Sequence, residues 1–247
     1  MYLRNNFTIF LLAVTLLMFC WMGTALCDDD DEGLGEASGG VMQGWQSDFN
    51  LDNRIFADQG ENSYFILKPG FQIVLADEDD RVTLTVMDET REVGNIMTRV
   101  VEEREEEDGE LVEISRNFFA IDADNGDVFY FGEEVDIYKK GKVVKHEGAW
   151  LAYEGDALPG LIMPGSPKIG MKYYQEIAPG KALDRGEVIS LTETFKTPAG
   201  TFDNCLKTKE TSGLNPLEKE YKRYAPGIGQ IQDEDLLLVK YGYIVEE

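Results

Sequence analysis

Closely spaced turn signals constrain this chain more than any other feature of its sequence. The turn-forming sequences are Asp108-Gly109, Asn125-Gly126, Lys140-Gly141, Pro198-Ala199-Gly200 and Pro226-Gly227. Val82, Leu84 and Val86 alternate with two threonines, as in a strand with one buried face. No stretch beyond the N-terminal apolar run has an apolar stripe at helical spacing. We therefore predict a mainly β fold, a single antiparallel β domain built as a curved sheet, a sandwich or an open barrel.

The segment VVEEREEEDGELVEI contains many glutamates, which favour helix by intrinsic propensity. Asp108-Gly109 nevertheless lies between two β-branched stretches, as the turn of a two-residue hairpin does. In that register Arg104 lies opposite Glu113, and the pair offsets part of the charge repulsion. We therefore predict a long hairpin with an acidic tip.

The stretch FFAIDADNGDVFYF allows two interpretations, a calcium loop or a tight turn. Counted from Asp122, its glycine comes at position five, whereas a calcium EF-hand needs glycine at position six. The aromatic and β-branched residues that follow favour a strand. We therefore predict a type I′ turn at Asn125-Gly126, with Ile121 opposite Tyr130 and with both faces of the hairpin covered.

The N-terminus is typical of an exported protein. We interpret residues 1–25 as a signal peptide, residues 26–48 as an acidic linker rich in glycine and serine, and residues 49–247 as the β domain. Cleavage after Ala25 suits the small residues there, and cleavage after Cys27 is the alternative. Because Leu26 is not small, a lipid anchor at Cys27 is the less favoured interpretation. The expected location is periplasmic or secreted, with no transmembrane anchor after cleavage.

The formal net charge of -24 excludes some classes of partner. A chain this acidic repels nucleic acid and anionic membrane surfaces, so we expect no nucleic-acid partner. Beyond the N-terminal region the sequence has a single cysteine, Cys205, which rules out a disulfide framework and is expected to be a buried thiol. We expect a monomer stabilised by its own core.

Signs of catalysis are scarce in the sequence. The one histidine, His146, is expected on an exposed strand. Phosphate-binding glycine loops and clustered metal-binding histidines or cysteines are both lacking. Carboxylates are abundant, but sequence does not select an acid pair among 47 Asp and Glu residues. We predict a protein that is not an enzyme, and a carboxylate-dependent hydrolase is one alternative.

The segment GDALPGLIMPGSPKIG, residues 155–170, is predicted to be a long apolar loop that packs as a plug or lines a pocket. If it lines a pocket, the ligand is an apolar or amphipathic small molecule or a partner protein. The predicted ligand-binding residues are Trp150, Leu161, Ile162, Met163 and Tyr174. The alternative ligand is extracellular calcium at Asp77, Asp79 and Asp80, and we expect no other cofactor.

Several phrases, in this order, resemble a family of exported bacterial β-rich proteins of unknown activity. They are Asn62–Gly70, Asp127–Glu133, Tyr138–Val143, Pro159–Pro164, Pro167–Gly170, Thr197–Phe202, Lys207–Thr211 and Tyr224–Gly229. The resemblance covers about residues 62 to 241 and implies no catalytic residue. The last phrase is also similar to one in domains akin to the periplasmic lipoprotein carriers, which place helices across a curved sheet.

Overall fold

The computed structural model describes residues 44–215 and 217–244. The predicted signal peptide, both predicted cleavage sites and most of the predicted linker lie outside these residues. The described chain is attached to the fold from Gln46 onward, because Gln46 forms a parallel β-bridge with Tyr173. Its N–H donates to the Lys172 carbonyl at 2.9 Å.

Strands make up nearly all the regular structure of these residues, beside one 3₁₀ turn at Leu51–Asn53. The strands are β1 (Phe56–Ala57), β2 (Gly60–Asn62), β3 (Phe65–Leu67), β4 (Phe71–Ala76), β5 (Asp80–Val93), β6 (Ile96–Glu107), β7 (Glu110–Asp122), β8 (Val128–Lys139), β9 (Lys142–Lys145), β10 (Trp150–Leu151), β11 (Leu158–Met163), β12 (Lys172–Tyr174), β13 (Glu176–Ile177), β14 (Asp184–Thr197), β15 (Gly200–Ser212), β16 (Glu220–Ala225), β17 (Gly229–Asp233) and β18 (Leu236–Tyr243). Within the same residues, no helix is long and apolar enough to cross a bilayer.

One antiparallel sheet contains every strand except the β2–β3 hairpin. Its strand order is β12-β14-β15-β16-β17-β18-β4-β5-β6-β7-β8-β11-β13, with β1, β9 and β10 added beside β7 and β8. The two strands that end this order, β12 and β13, are joined in the chain by Gln175 alone. The Gln175 N–H donates to the Asp184 carbonyl on β14 at 2.7 Å. The curved sheet is therefore nearly closed around an interior, and the prediction of a single antiparallel β domain is confirmed.

The outer face of β7 and β8 is covered by the chain before β2. Strand β1 pairs with β7, and the Phe56 ring contacts the rings of Phe129 and Phe131 edge-on at 5.5 and 5.4 Å between centroids. Both of these β8 phenylalanines are fully buried. The prediction that this hairpin is covered on both faces is confirmed.

The turn between β7 and β8 differs from the predicted type I′ turn. Ile121 lies opposite Val128, not Tyr130, so residues 123–127 form a longer loop. Gly126 has a φ of 76°, whereas Asn125 stays outside the left-handed region. Carboxylates explain the longer loop. The Asp122 side chain accepts the Asp124 N–H at 2.9 Å, and Arg54 bridges Asp122 and Asp127 at 2.6 and 2.8 Å. The segment forms a turn, as predicted, but it is not the predicted type I′ turn.

The register of the β6–β7 hairpin also differs from the predicted one. Arg104 lies opposite Ile114, and Glu105 lies opposite Glu113, because a bulge shifts the pairing just after the turn. The predicted pairing of Arg104 with Glu113 was therefore wrong. The shift places two glutamates on the same inward face instead of pairing one with an arginine.

The prediction that residues 155–170 form one long loop was wrong. Their centre forms β11, which pairs with β8 on one side and with β13 on the other. Leu161, Ile162 and Met163 are buried there. Because β11 pairs with a strand along each edge, this apolar segment helps to close the sheet.

Candidate functional site

The inward-facing residues of β5 and β6 change from apolar to acidic along the axis of the nearly closed sheet, or barrel. Val86 lies opposite Val101, Leu84 opposite Glu103, and Val82 opposite Glu105. Because alternate residues of a strand share a face, β6 turns one valine and then two glutamates inward. The interior is therefore apolar toward one end and acidic toward the other.

Carboxyl groups from many strands surround this acidic layer of the interior. Each of them either lies opposite another member on a neighbouring strand or interacts with one electrostatically. They are Glu103, Glu105, Glu113, Glu133, Glu176, Asp184, Glu210, Glu220 and Asp233. Burial is the main cause that raises the pKa of Glu105, Glu133 and Glu176 well above the ordinary value. Like charges this close in a low dielectric do not all ionise, so part of the layer is protonated at neutral pH.

Lys222 on β16 is the cation of the acidic layer. Its Nζ lies 3.4 Å from an oxygen of Glu210 and 3.4 Å from an oxygen of Asp233. Burial lowers the pKa of Lys222, but Asp233, Glu210 and Glu220 together raise it well above its usual range. The amine is therefore protonated and held in an ion pair, which makes it a poor nucleophile.

The two carboxylates that face Lys222 also accept hydrogen bonds from neighbouring polar side chains. Glu210 accepts from the Gln175 amide at 3.1 Å and from the Thr208 hydroxyl at 3.0 Å. Asp233 accepts from the Gln230 amide at 2.8 Å. Lys222 and these donors form a largely satisfied polar network on one side of the interior.

Glu103 on β6 differs from Glu210 and Asp233 in its hydrogen bonding. Its side chain is 1% exposed, and neither carboxyl oxygen has a hydrogen-bond partner among the residues that the structure describes. Burial raises its pKa, Lys222 lowers it, and Asp233 and Glu113 raise it, to about 8. The carboxyl group is therefore mostly protonated at neutral pH, with its hydrogen-bonding capacity unused.

Two adjoining cavities lie within the barrel. The first, about 60 Å³ and partly open, is lined mainly by apolar side chains, among them Phe71, Ile73 and Val86. The second, about 40 Å³, is lined by Glu103, Lys222 and other polar residues as well as by aromatic rings. Their shared lining residues are Phe65, Leu84, Tyr224 and Gln230. These four residues lie between the apolar cavity and the acidic layer.

The β2–β3 hairpin crosses the apolar end of the barrel. The Asn62 amide donates to the Pro164 carbonyl at 3.0 Å on one side. On the other side, the Ser63 carbonyl accepts the Gly227 N–H at 2.7 Å, and the Tyr64 hydroxyl donates to the Asn204 carbonyl at 3.1 Å. Hydrogen bonds therefore hold the hairpin at both sides of the opening, and the hairpin lies over the apolar cavity.

The predicted ligand-binding residues do not form one site. Ile162 and Met163 line the acidic cavity. Trp150 lies edge-on to Tyr130 at 5.4 Å and lines a separate groove of about 200 Å³. Leu161 and Tyr174 are buried core residues that line neither barrel cavity.

Sequence reasoning missed Glu103 and Lys222. The glutamate-rich stretch was assigned to an exposed acidic tip, although Val101, Glu103 and Glu105 alternate as an inward face does. No signal in the sequence distinguished Lys222 from the other lysines.

The predicted calcium ligands lie in the turn between β4 and β5. The Asp77 carboxylate accepts the N–H groups of Asp79 and Asp80 at 2.9 and 2.8 Å, which stabilises the turn. Across the described residues, no group of three or more His, Cys, Asp or Glu side chains is arranged to hold a metal ion. Calcium binding at this turn stays a prediction.

The histidine and the cysteine are far apart in the strand order. His146 follows β9 and is mostly exposed, with its Nδ1 2.7 Å from an Asp136 oxygen. Cys205 is fully buried on β15, and burial raises the pKa of its thiol. The exposed histidine and the buried thiol agree with the sequence predictions.

Comparison with protein-family models, with curated proteins and with solved structures finds no match. The resemblance to a family of exported bacterial proteins stays a prediction.

Proposed function

We propose that this chain is an exported binding protein without enzymatic activity, and that its barrel interior takes an amphipathic small molecule. The observation that carries the proposal is the pair of adjoining cavities, one apolar and partly open, the other polar. Ligand sites in proteins combine a mainly apolar lining with a few placed polar groups, and barrel mouths are common locations for them.

The polar cavity favours binding over hydrolysis. A carboxyl group with a raised pKa in a cavity is a candidate general acid. However, a cavity of about 40 Å³ has room for only a few water molecules and not for a sugar ring. The carboxylate-dependent hydrolase is therefore the second candidate, supported by the raised pKa of Glu103 alone.

Thermal melts and NMR titrations with hexan-1-ol, hexylamine and hexanoate test the proposal. A ligand that binds only the folded state raises the melting temperature by mass action. We expect at least one of the three to raise it and to shift the resonances of Phe65 and Leu84. If none of them does either, the proposal is wrong.

A pair of variants separates cavity binding from non-specific adsorption. Ile66→Glu places a charge in the lining of the apolar cavity, whereas Ile55→Glu alters an isoleucine that is 63% exposed. We expect the first to weaken binding about tenfold or more and the second to leave it unchanged. A melt with millimolar calcium chloride tests the alternative. A calcium shift that Asp77→Asn abolishes, with no amphiphile effect, favours calcium binding.

A further inference from the structure

We infer that the polar group taken by the barrel interior is an ammonium group, which Glu103 binds as a carboxylate. This inference rests on the proposed function and names the chemistry of its ligand. It is supported by three features of the acidic cavity: an unpartnered buried carboxyl group, a lining of aromatic rings, and a shortage of cations.

The first feature is the unequal hydrogen bonding of the two carboxyl groups that line the cavity. Glu210 is held by Lys222, Gln175 and Thr208, whereas both oxygens of the buried Glu103 lack a partner among the residues that the structure describes. Gln175 lines the same cavity, and no donor in the described part of the chain reaches its Oε1. Buried polar groups are normally hydrogen-bonded, so these acceptors are available to donors from a molecule in the cavity. A primary ammonium has three N–H donors and no acceptor.

The second feature is the aromatic lining. Phe65, Phe119 and Tyr224 line the cavity together with Glu103. The faces of aromatic rings attract cations, and a carboxylate beside aromatic rings suits an ammonium better than it suits a neutral hydroxyl. Phe65 and Tyr224 also line the apolar cavity, which would hold the hydrocarbon part of the ligand.

The third feature is the charge of the surroundings. Lys222 forms ion pairs with Glu210 and Asp233, whereas Glu103, Glu105 and Glu113 form no salt bridge with a cation among the described residues. A ligand carboxylate placed beside Glu103 and Glu210 would add like charge in a low dielectric. An ammonium would instead neutralise the layer further.

Binding of an ammonium would displace a proton from the protein. Burial and the charges of Asp233 and Glu113 keep Glu103 protonated at neutral pH in the free protein, against the opposing effect of Lys222. When the ammonium binds, Glu103 loses its proton to the buffer, and the ligand keeps its own. Titration calorimetry in buffers of different ionisation enthalpy measures the number of protons released.

The experiment compares hexylamine, hexan-1-ol and hexanoate, which share a six-carbon tail, on the intact domain at pH 7. We expect hexylamine to bind at least about tenfold more tightly than the alcohol, since charged hydrogen bonds contribute more than neutral ones. Hexanoate should bind most weakly. Equal affinities, or a preference for hexanoate, would overturn the ammonium and leave the proposed function standing. Failure of all three would overturn the proposed function itself.

Glu103→Gln removes the charge with little change in shape, and Glu92→Gln is its matched control on the exposed part of β5. We expect the first variant to lose both the preference for the amine and the proton release, while it still binds hexan-1-ol. The control should keep both. An unchanged preference in Glu103→Gln would show that Glu103 does not hold the ammonium. Calcium chloride that shifts the cavity resonances, with no effect of hexylamine, would also contradict the inference.

Discussion

The neighbouring strands β5 and β6 have the same alternation and pair with each other, yet their inward faces differ in chemistry. β5 turns Val82, Leu84 and Val86 inward, and β6 turns Val101, Glu103 and Glu105 inward. Alternation determines which face of a strand is buried, but it does not make that face apolar. Glutamate is almost never fully buried without a partner, so the acidic layer has a cost that the apolar layer lacks.

The two layers also respond differently to solution conditions. Burial of apolar surface stabilises the folded state in a way that does not depend on protonation. The acidic layer is stable only while enough of its carboxyl groups are protonated or paired with Lys222. Substitutions and pH changes can therefore test each layer separately.

The largest effect is expected from Lys222→Met, which removes the cation of the acidic layer. Glu210 and Asp233 would be left buried without their ion-pair partner, and breaking such a pair typically costs about 3–5 kcal/mol. Urea unfolding at pH 8 measures the loss. At pH 5 we expect a smaller loss, because burial raises the pKa of Asp233, which is then more readily protonated and depends less on a cation.

Ile73→Ala is the matched test in the apolar layer. Ile73 is buried on β4 and lines the apolar cavity, and its truncation should cost about 2–5 kcal/mol through lost burial and a larger cavity. That cost should be the same at pH 5 and pH 8. If the two variants respond identically to pH, the separation into an apolar and an acidic layer is wrong.

The next effect concerns the unmodified protein, whose stability should fall as the pH rises from about 5 to 8. Burial raises the pKa of Glu103 to about 8, that of Glu220 to about 8 and that of Asp184 to about 7. Between the ordinary carboxyl range and these values, the folded state holds protons that the unfolded state has released. Stability therefore decreases with rising pH, by on the order of 1 kcal/mol per pH unit.

Melting temperatures measured at constant ionic strength test this prediction. Because the chain is strongly acidic, general charge repulsion also weakens the fold as pH rises, but salt screens that part. We expect the decline to persist at 0.5 M sodium chloride. A flat or rising profile at high salt would contradict it.

Local sequence patterns predicted the fold class, but they did not predict the acidic layer. Turn signals and the alternation at Val82, Leu84 and Val86 sufficed for an antiparallel sheet, since both are short-range features. The layer depends on a bulge after Glu105 and on closure of the sheet through Gln175. Both depend on contacts between residues distant in sequence, which a single sequence does not encode in its local pattern.

The ligand prediction shows the same limit. Ile162 and Met163, both predicted to bind a ligand, line the acidic cavity, whereas Trp150, predicted to bind the same ligand, lines a different groove. Lys222 lies in a charged stretch of sequence that is typical of solvent-exposed residues. Only the nearly closed sheet brings it inward to meet Glu210 and Asp233.

The smallest effect is expected from Glu103→Gln, which replaces one titratable group of the acidic layer by an amide. At pH 5 both side chains are uncharged, so the variant should match the unmodified protein closely. At pH 8 it should be more stable by about 1 kcal/mol, since it avoids part of the ionisation cost of a buried carboxyl group while adding an amide donor that needs a partner. Differential melts of this variant and the Glu92→Gln control across pH 5 to 8 measure the effect. A stabilisation of equal size at both pH values would mean that shape or packing at position 103, rather than charge, distinguishes β6 from β5.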